Sequence, residues 1–163
     1  MGEVELRYAR AADADRMLAL LRAVCAEGDA LPFTEGIDER LIASQWLAAP
    51  GCVLAWAEDR LLGMYRFGAN MPGRGAHVAT ATFLVSREAR GHGLGRRMVT
   101  HCLEAATAAG FDAMQFNQVL KTNTAALALY RSLGFRRVGR IPRAFRHAQL
   151  GLVDAYILYR PLA

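Results

Sequence analysis

Lysine is nearly missing from this chain: of its 20 basic side chains only Lys121 is Lys, and the rest are Arg. Cysteine is also scarce. Cys25, Cys52 and Cys102 stand in apolar surroundings, with no CxxC pair and no His/Cys cluster at metal-ligand spacing. That excludes a disulfide framework and a zinc module, and points to a reducing compartment. No apolar run approaches the ~18 residues of a bilayer span, because Arg, Asp or Glu interrupts each one. Met1 to Arg7 has no basic stretch leading into an apolar one, and Leu6 stands where a myristoylation signal places Ser or Thr. The expectation is a soluble, cytoplasmic protein without membrane contact. A length of 163 residues with 53% apolar content fits one domain over 1–163.

Carboxylates are unevenly missing. Residues 1–59 hold 5 basic and 11 acidic side chains, residues 60–163 hold 15 and 4, and none of those acids falls between Asp59 and Glu88. A basic second half suits an anionic partner, either a polyphosphate-bearing small molecule or a nucleic acid. Nucleic acid is disfavoured, since no basic patch interleaved with aromatics and no helix-turn-helix pattern is present.

What is there reads in order. Val4, Leu6 and Tyr8 alternate in a first strand over Glu3–Tyr8, and Met17, Leu20, Leu21 and Val24 space a helix over about 14–27, capped by Asp13. A loop follows over Gly28–Gly36, then a helix over Asp38–Leu47. Cys52–Ala57 and Leu61–Phe67 form a hairpin, and His77–Val85 is a further strand. Met98, Val99, Cys102, Leu103 and Ala106 stripe a helix ending at Gly110. Asp112–Phe116 is a short strand, Thr122 or Asn123 caps a helix through Leu133, and Val138–Ile141 and Val153–Tyr159 complete the set. Hairpins first, then strand-helix-strand-helix-strand, predict an α+β fold: a mixed, mostly antiparallel sheet of about seven strands with about four helices.

The segment Arg90-Gly91-His92-Gly93-Leu94-Gly95 lies between an apolar strand and a helix, where backbone N–H groups and the positive helix end suit a phosphate or pyrophosphate. It is not a Walker loop, because Gly95 precedes Arg96-Arg97 rather than Lys and Ser/Thr. Nor is it a dinucleotide fingerprint, whose third Gly would fall on Arg96 or Met98.

What remains, Arg90-X-X-Gly93-X-Gly95 after Phe83-Leu84-Val85, with Asn123-X-X-Ala126-X-X-Leu129-Tyr130-X-X-X-Gly134-Phe135 downstream, resembles the GNAT superfamily of acyl-CoA-dependent N-acyltransferases. The element order is similar from Leu6 to Tyr159. The resemblance implies acetyl-CoA as acyl donor and an amine as acceptor. Phe83, Leu84 and Val85 would run beside the pantetheine arm, with a backbone N–H near Leu84 polarising the thioester carbonyl. Amides from Gly91, His92, Gly93, Leu94, Gly95 and Arg96 would cradle the pyrophosphate behind Arg90. Asn123 would help fix coenzyme A, and Tyr130 would protonate the departing thiolate. Arg96, Arg97 or Arg131 would reach the ribose 3′-phosphate, and Asn117 would add a polar contact in the cleft.

Transfer of an acyl group to a neutral amine needs positioning, an N–H donor for the developing oxyanion and an acid for the thiolate, and it needs no metal. The amine must also lose a proton, and here the chain departs from many relatives: the central strand offers His77, Thr80 and Thr82 but no carboxylate. Glu35 in the early loop, or water passed along the Thr side chains, is left for that task. The Arg136–His147 segment, with Pro142 and Gly151 bracketing an apparent long loop, reads as a solvated face, an anion-binding rim or a lid, and Phe145 as a lid residue or homodimer contact. The favoured activity is acetylation of a small amine or amino acid by direct transfer. A protein amino terminus or lysine as acceptor, and a non-catalytic acyl-CoA-binding module, are the alternatives.

Overall fold

In the computed structural model, which describes residues 2–163, the chain forms one seven-stranded sheet in the order β1-β2-β3-β4-β5-β7-β6. The strands are β1 Glu5–Tyr8, β2 Gly51–Ala57, β3 Arg60–Ala69, β4 Val78–Val85, β5 Ala113–Leu120, β6 Arg136–His147 and β7 Gly151–Pro161. Four helices flank it: α1 Ala14–Glu27, α2 Glu39–Leu41 continuing into a wider-wound stretch Ile42–Leu47, α3 Leu94–Ala108 and α4 Thr124–Ser132. Every strand pair is antiparallel except β4 with β5. The α+β expectation holds.

The strand pleat sends alternate residues to two cores. Tyr65, Phe67, Met114 and Phe116 meet the α3 stripe of Met98, Val99 and Cys102 on one face. Leu54, Met64 and Leu84 meet Met17, Leu21 and Val24 of α1 and Trp46 of α2 on the other.

Three local expectations are corrected. Asp13 does not cap α1 with its side chain; its carboxylate takes two hydrogen bonds from Arg7, both 2.9 Å, and one from the Arg10 N–H at 2.8 Å. β5 runs on to Leu120, because a bulge after Phe116 lets β7 keep pairing with it. The segment beyond Ile141 is strand rather than loop. Pro142 falls in a bulge between Ile141 and Phe145 on an edge strand, where a missing donor costs little, Arg143 takes φ 51°, and its N–H donates to Asp154.

The β4–β5 pair creates the site. These parallel strands pair only at Val78–Ala113 and Ala79–Met114, then separate, so both inner edges face an open wedge from Thr80 onward.

Candidate active site

Two connected cavities occupy the wedge. One, about 600 Å³, is lined by Phe83, Leu84, Val85, Arg90, Gly91, Gly93, Gly95, Arg96, Thr122, Asn123, Tyr130 and His147, among others. The second, about 240 Å³, is lined by Leu31, Pro32, Thr80, Thr82, Asn117 and Gln118, and the two share Ala30, Phe83, Asn123, Ala126 and Tyr130. A larger concavity of about 860 Å³ lies between β1 and α3, beside Leu6, Arg97, His101 and Glu104. No glycine turn lines it, so size alone is a poor guide to where the chemistry sits.

The strand edge supplies donors whose direction follows from register. At the two ends of the β3–β4 ladder the Ser86 N–H donates to the Leu62 carbonyl and the Asn70 N–H to the Val78 carbonyl. Along an antiparallel pair such bonds recur at every second residue, which assigns the N–H of Leu84, opposite Met64, to β3. The N–H groups of Ala81, Phe83 and Val85 therefore face the wedge, where β5 has already departed. The expectation of a donor near Leu84 narrows to its two neighbours, since the Leu84 amide is committed to the sheet and its side chain is buried against α1.

The glycine turn supplies a second set. Gly91 and Gly93 take φ 77° and 82°, Gly93 caps α3, and the first intrahelical bond there runs from the Arg97 N–H to the Gly93 carbonyl. The Leu94, Gly95 and Arg96 amides thus have no helical acceptor and stand at the positive end of the dipole. A Cβ built on Gly91 or Gly93 would meet no protein atom within 4 Å, so the space beside the turn is open for a ligand. Arg90 does not point to that space. Its guanidinium makes a bidentate pair with Glu27 at 2.7 and 2.9 Å and also donates to the Val85 carbonyl, tying the turn to the end of α1. The exposed His92 and the buried Leu94 side chains do not line the cavity. Of the three arginines expected to compete for the 3′-phosphate, only Arg96 lines this cavity, donating to Ser132 Oγ at 2.7 Å; Arg97 faces the larger concavity and Arg131 is exposed elsewhere.

Asn123 caps α4, its Oδ1 accepting from the Ala126 N–H at 3.3 Å, which leaves its NH2 toward the cavity. The neighbouring Thr122 hydroxyl is buried without a partner among the described residues. Tyr130 sits where the cavities meet, its ring 4.6 Å from Phe116, 5.7 Å from Phe135 and 6.4 Å from Phe83. Burial, followed by the nearby Cys102, raises its phenol above the usual range, so it remains protonated and able to give a proton. Asn117 lines the second cavity, although its amide donates to Asn70 at 2.6 Å and accepts from Gln115 at 2.9 Å. Glu35 is exposed and lines neither cavity, which leaves it away from an acceptor's proton. Glu27 escaped sequence reasoning; the Gly28–Gly36 loop, which its position marks as a border of a substrate site, lines the second cavity with Leu31 and Pro32, and His147 belongs to the charged segment read as a rim or lid.

A free strand edge, a glycine nest at a helix start and a phenol at their junction thus meet in one cleft. Residues 15–135 match the model of the acetyltransferase (GNAT) family. The chain belongs to that family. A GCN5-related N-acetyltransferase from Kribbella flavida is 35% identical, with a TM-score of 0.91 and 97% of each chain covered. A GNAT phosphinothricin acetyltransferase from Sinorhizobium meliloti, solved with acetyl-CoA, shares the fold at 24% identity, with a TM-score of 0.89 over 98% of this chain and 89% of that one. N-acetyltransferase aca1 of Schizosaccharomyces pombe is 40% identical over 98 residues, 60% of this chain and 47% of that protein. The chain spans half or less of the length of the curated relatives it matches.

Proposed function

We propose that this GNAT chain transfers the acetyl group of acetyl-CoA to the primary or secondary amine of a small molecule or amino acid, by direct attack within a ternary complex. The observation that carries the reading is the junction of the two cavities at Phe83, Asn123 and Tyr130, which would bring donor and acceptor together. The larger cavity offers the glycine-turn amides for a pyrophosphate, Arg96 for a further phosphate and the Asn123 amide for the pantetheine arm. The Phe83 or Val85 N–H would meet the oxygen of the thioester carbonyl as charge develops there. Tyr130 would give its proton to the departing thiolate.

Direct attack is favoured because no thiol is placed to carry the acetyl group. Cys25, Cys52 and Cys102 are buried, none lines either cavity, and burial raises all three, Cys52 to about 11. The acceptor's proton would leave through water along Thr80 and Thr82, since the second cavity is lined by no carboxylate. Its volume of about 240 Å³ and its wall at Leu31-Pro32 favour a small acceptor over a folded protein. Initial rates over a grid of acetyl-CoA and amine concentrations test this: intersecting reciprocal lines are expected, and parallel lines with an isolable acetyl-enzyme would overturn direct attack.

A further inference from the structure

We propose that the acceptor amine also carries a carboxylate, and that Arg66, beside the acceptor cavity on the strand next to Thr82, selects for it; this rests on the transferase reading above. Arg66 faces the α1 side of β3, directly opposite Thr82, which lines the acceptor cavity. Cross-strand neighbours at that separation are within reach of a long side chain. The guanidinium lies 5.5 Å from the ring of the buried Trp46, and its Nε is buried with no partner. No hydrogen bond or ion pair engages it among the described residues.

Arg66 is half-buried, and a cation drawn partly out of water is stabilised by a counterion. None is supplied here. Strands β2, β3, β4 and β5 contain no Asp or Glu. Cys52, opposite Arg66 on β2, is held neutral by burial, which pushes its thiol up to about 11. Of the acids on the covering segments, Asp13 is paired with Arg7, Asp38 accepts the Leu41 N–H as a cap, Glu27 is taken by Arg90, and Asp15, Glu35 and Glu39 are exposed. Asp29 lines the cofactor half instead.

The polar groups around it have the same character. Thr80, Thr82, Gln115, Asn117 and Asn70 share the α1-side face with Arg66, and the chain Gln115 to Asn117 to Asn70 leaves an amide NH2 of Asn70 as a further donor. Gly68, between Arg66 and Asn70 on β3, puts no side chain in the way. One cation with neutral hydroxyls and amides repels a second ammonium and attracts an anion. A diamine or a lysine side chain would meet like charge, whereas an amino acid would bring the missing counterion.

The test compares kcat/KM for matched sets, namely an amino acid, its primary amide and the amine left when the carboxyl is removed, with wild type and Arg66→Gln. The acid should exceed the amide by at least about tenfold, chiefly in KM, and Arg66→Gln should bring it down to the amide's level while the amide changes within about twofold. Coenzyme A affinity should not move. Arg66→Met, which removes the charge and keeps an apolar stem on Trp46, should melt no lower than wild type. Equal use of acid and amide by wild type, or a preference that survives in a folded variant, overturns the proposal. If both variants misfold, the wild-type ratio decides alone. Amine turnover without an acid preference defeats only this inference; coenzyme binding with no amine turnover defeats the transferase reading and this one with it.

Discussion

Substitution of Gly93 separates what the turn does for the fold from what it does for the ligand. Gly93 has φ 82° and ψ 1°, and an added Cβ would touch no protein atom within 4 Å. Gly93→Ala therefore suffers only left-handed backbone strain in the free protein, about 1–2 kcal/mol. For a domain of this size that lowers Tm by roughly 3–6 °C. With a pyrophosphate cradled at this turn the methyl group would stand where backbone must approach it, and affinity for coenzyme A should fall at least about tenfold, or 1.4 kcal/mol. Gly110→Ala is the internal control: φ is 91°, the space is equally empty, and the residue lies beyond the far end of α3. It should lose similar stability and no affinity. Calorimetric titration of both variants with coenzyme A, beside their melting curves, gives the comparison. Equal affinities in the two would refute a pyrophosphate cradle at this turn.

Tyr130→Phe keeps the ring packed on Phe116 and removes a hydroxyl that has no partner among the described residues, so Tm should hold while kcat falls about 10²-fold and coenzyme binding stays within a few-fold; unchanged kcat would retire Tyr130. Glu27→Gln releases one side of the partly exposed Arg90 pair; stability should drop by no more than about 1 kcal/mol, and the acetyl-CoA KM should rise several-fold as the turn loosens. The rate should climb with pH toward the acceptor amine's own pKa, with no separate limb near ~6–7, and His77→Ala should leave that profile unchanged. The Asp13 carboxyl is held below the usual range by its hydrogen bonds from Arg7 and the Arg10 N–H against an opposing burial effect. Its folded pKa is depressed, so its stabilisation is complete above the unfolded value of about 3.9 and disappears as pH falls through the folded value. Asp13→Asn should lower Tm at neutral pH and flatten the acid side of the stability profile.

The parts of the site that were legible in sequence are those that local spacing dictates. Gly93 and Gly95 after an apolar strand, and the helical interval from Asn123 to Tyr130, already define a turn, a cap and a stripe. What escaped depends on partners distant in the chain. Leu84 was named for its amide, but only the pairing of Met64 with Leu84 reveals that this N–H faces β3 and that its neighbours face the cleft. Glu27 and Arg90 are 63 residues apart, and nothing in either neighbourhood announces the pair. Arg66 reads as one arginine among many in sequence, and its half-burial beside Trp46 without a paired acid shows only in the fold. The hairpin was misread because Pro142 suggests a break in sequence, yet an edge strand tolerates it beside a bulge.

The central claim is that one cleft joins an acetyl-CoA half to a small-amine half. The most direct measurement incubates the purified protein with acetyl-CoA and a panel of small amines, following free thiol and acetylated amine together. The account predicts that thiol appears only with an accepted amine and in equal amount to its N-acetyl product. Thiol release that ignores the amine, or tight coenzyme binding with no product from any amine, would contradict it.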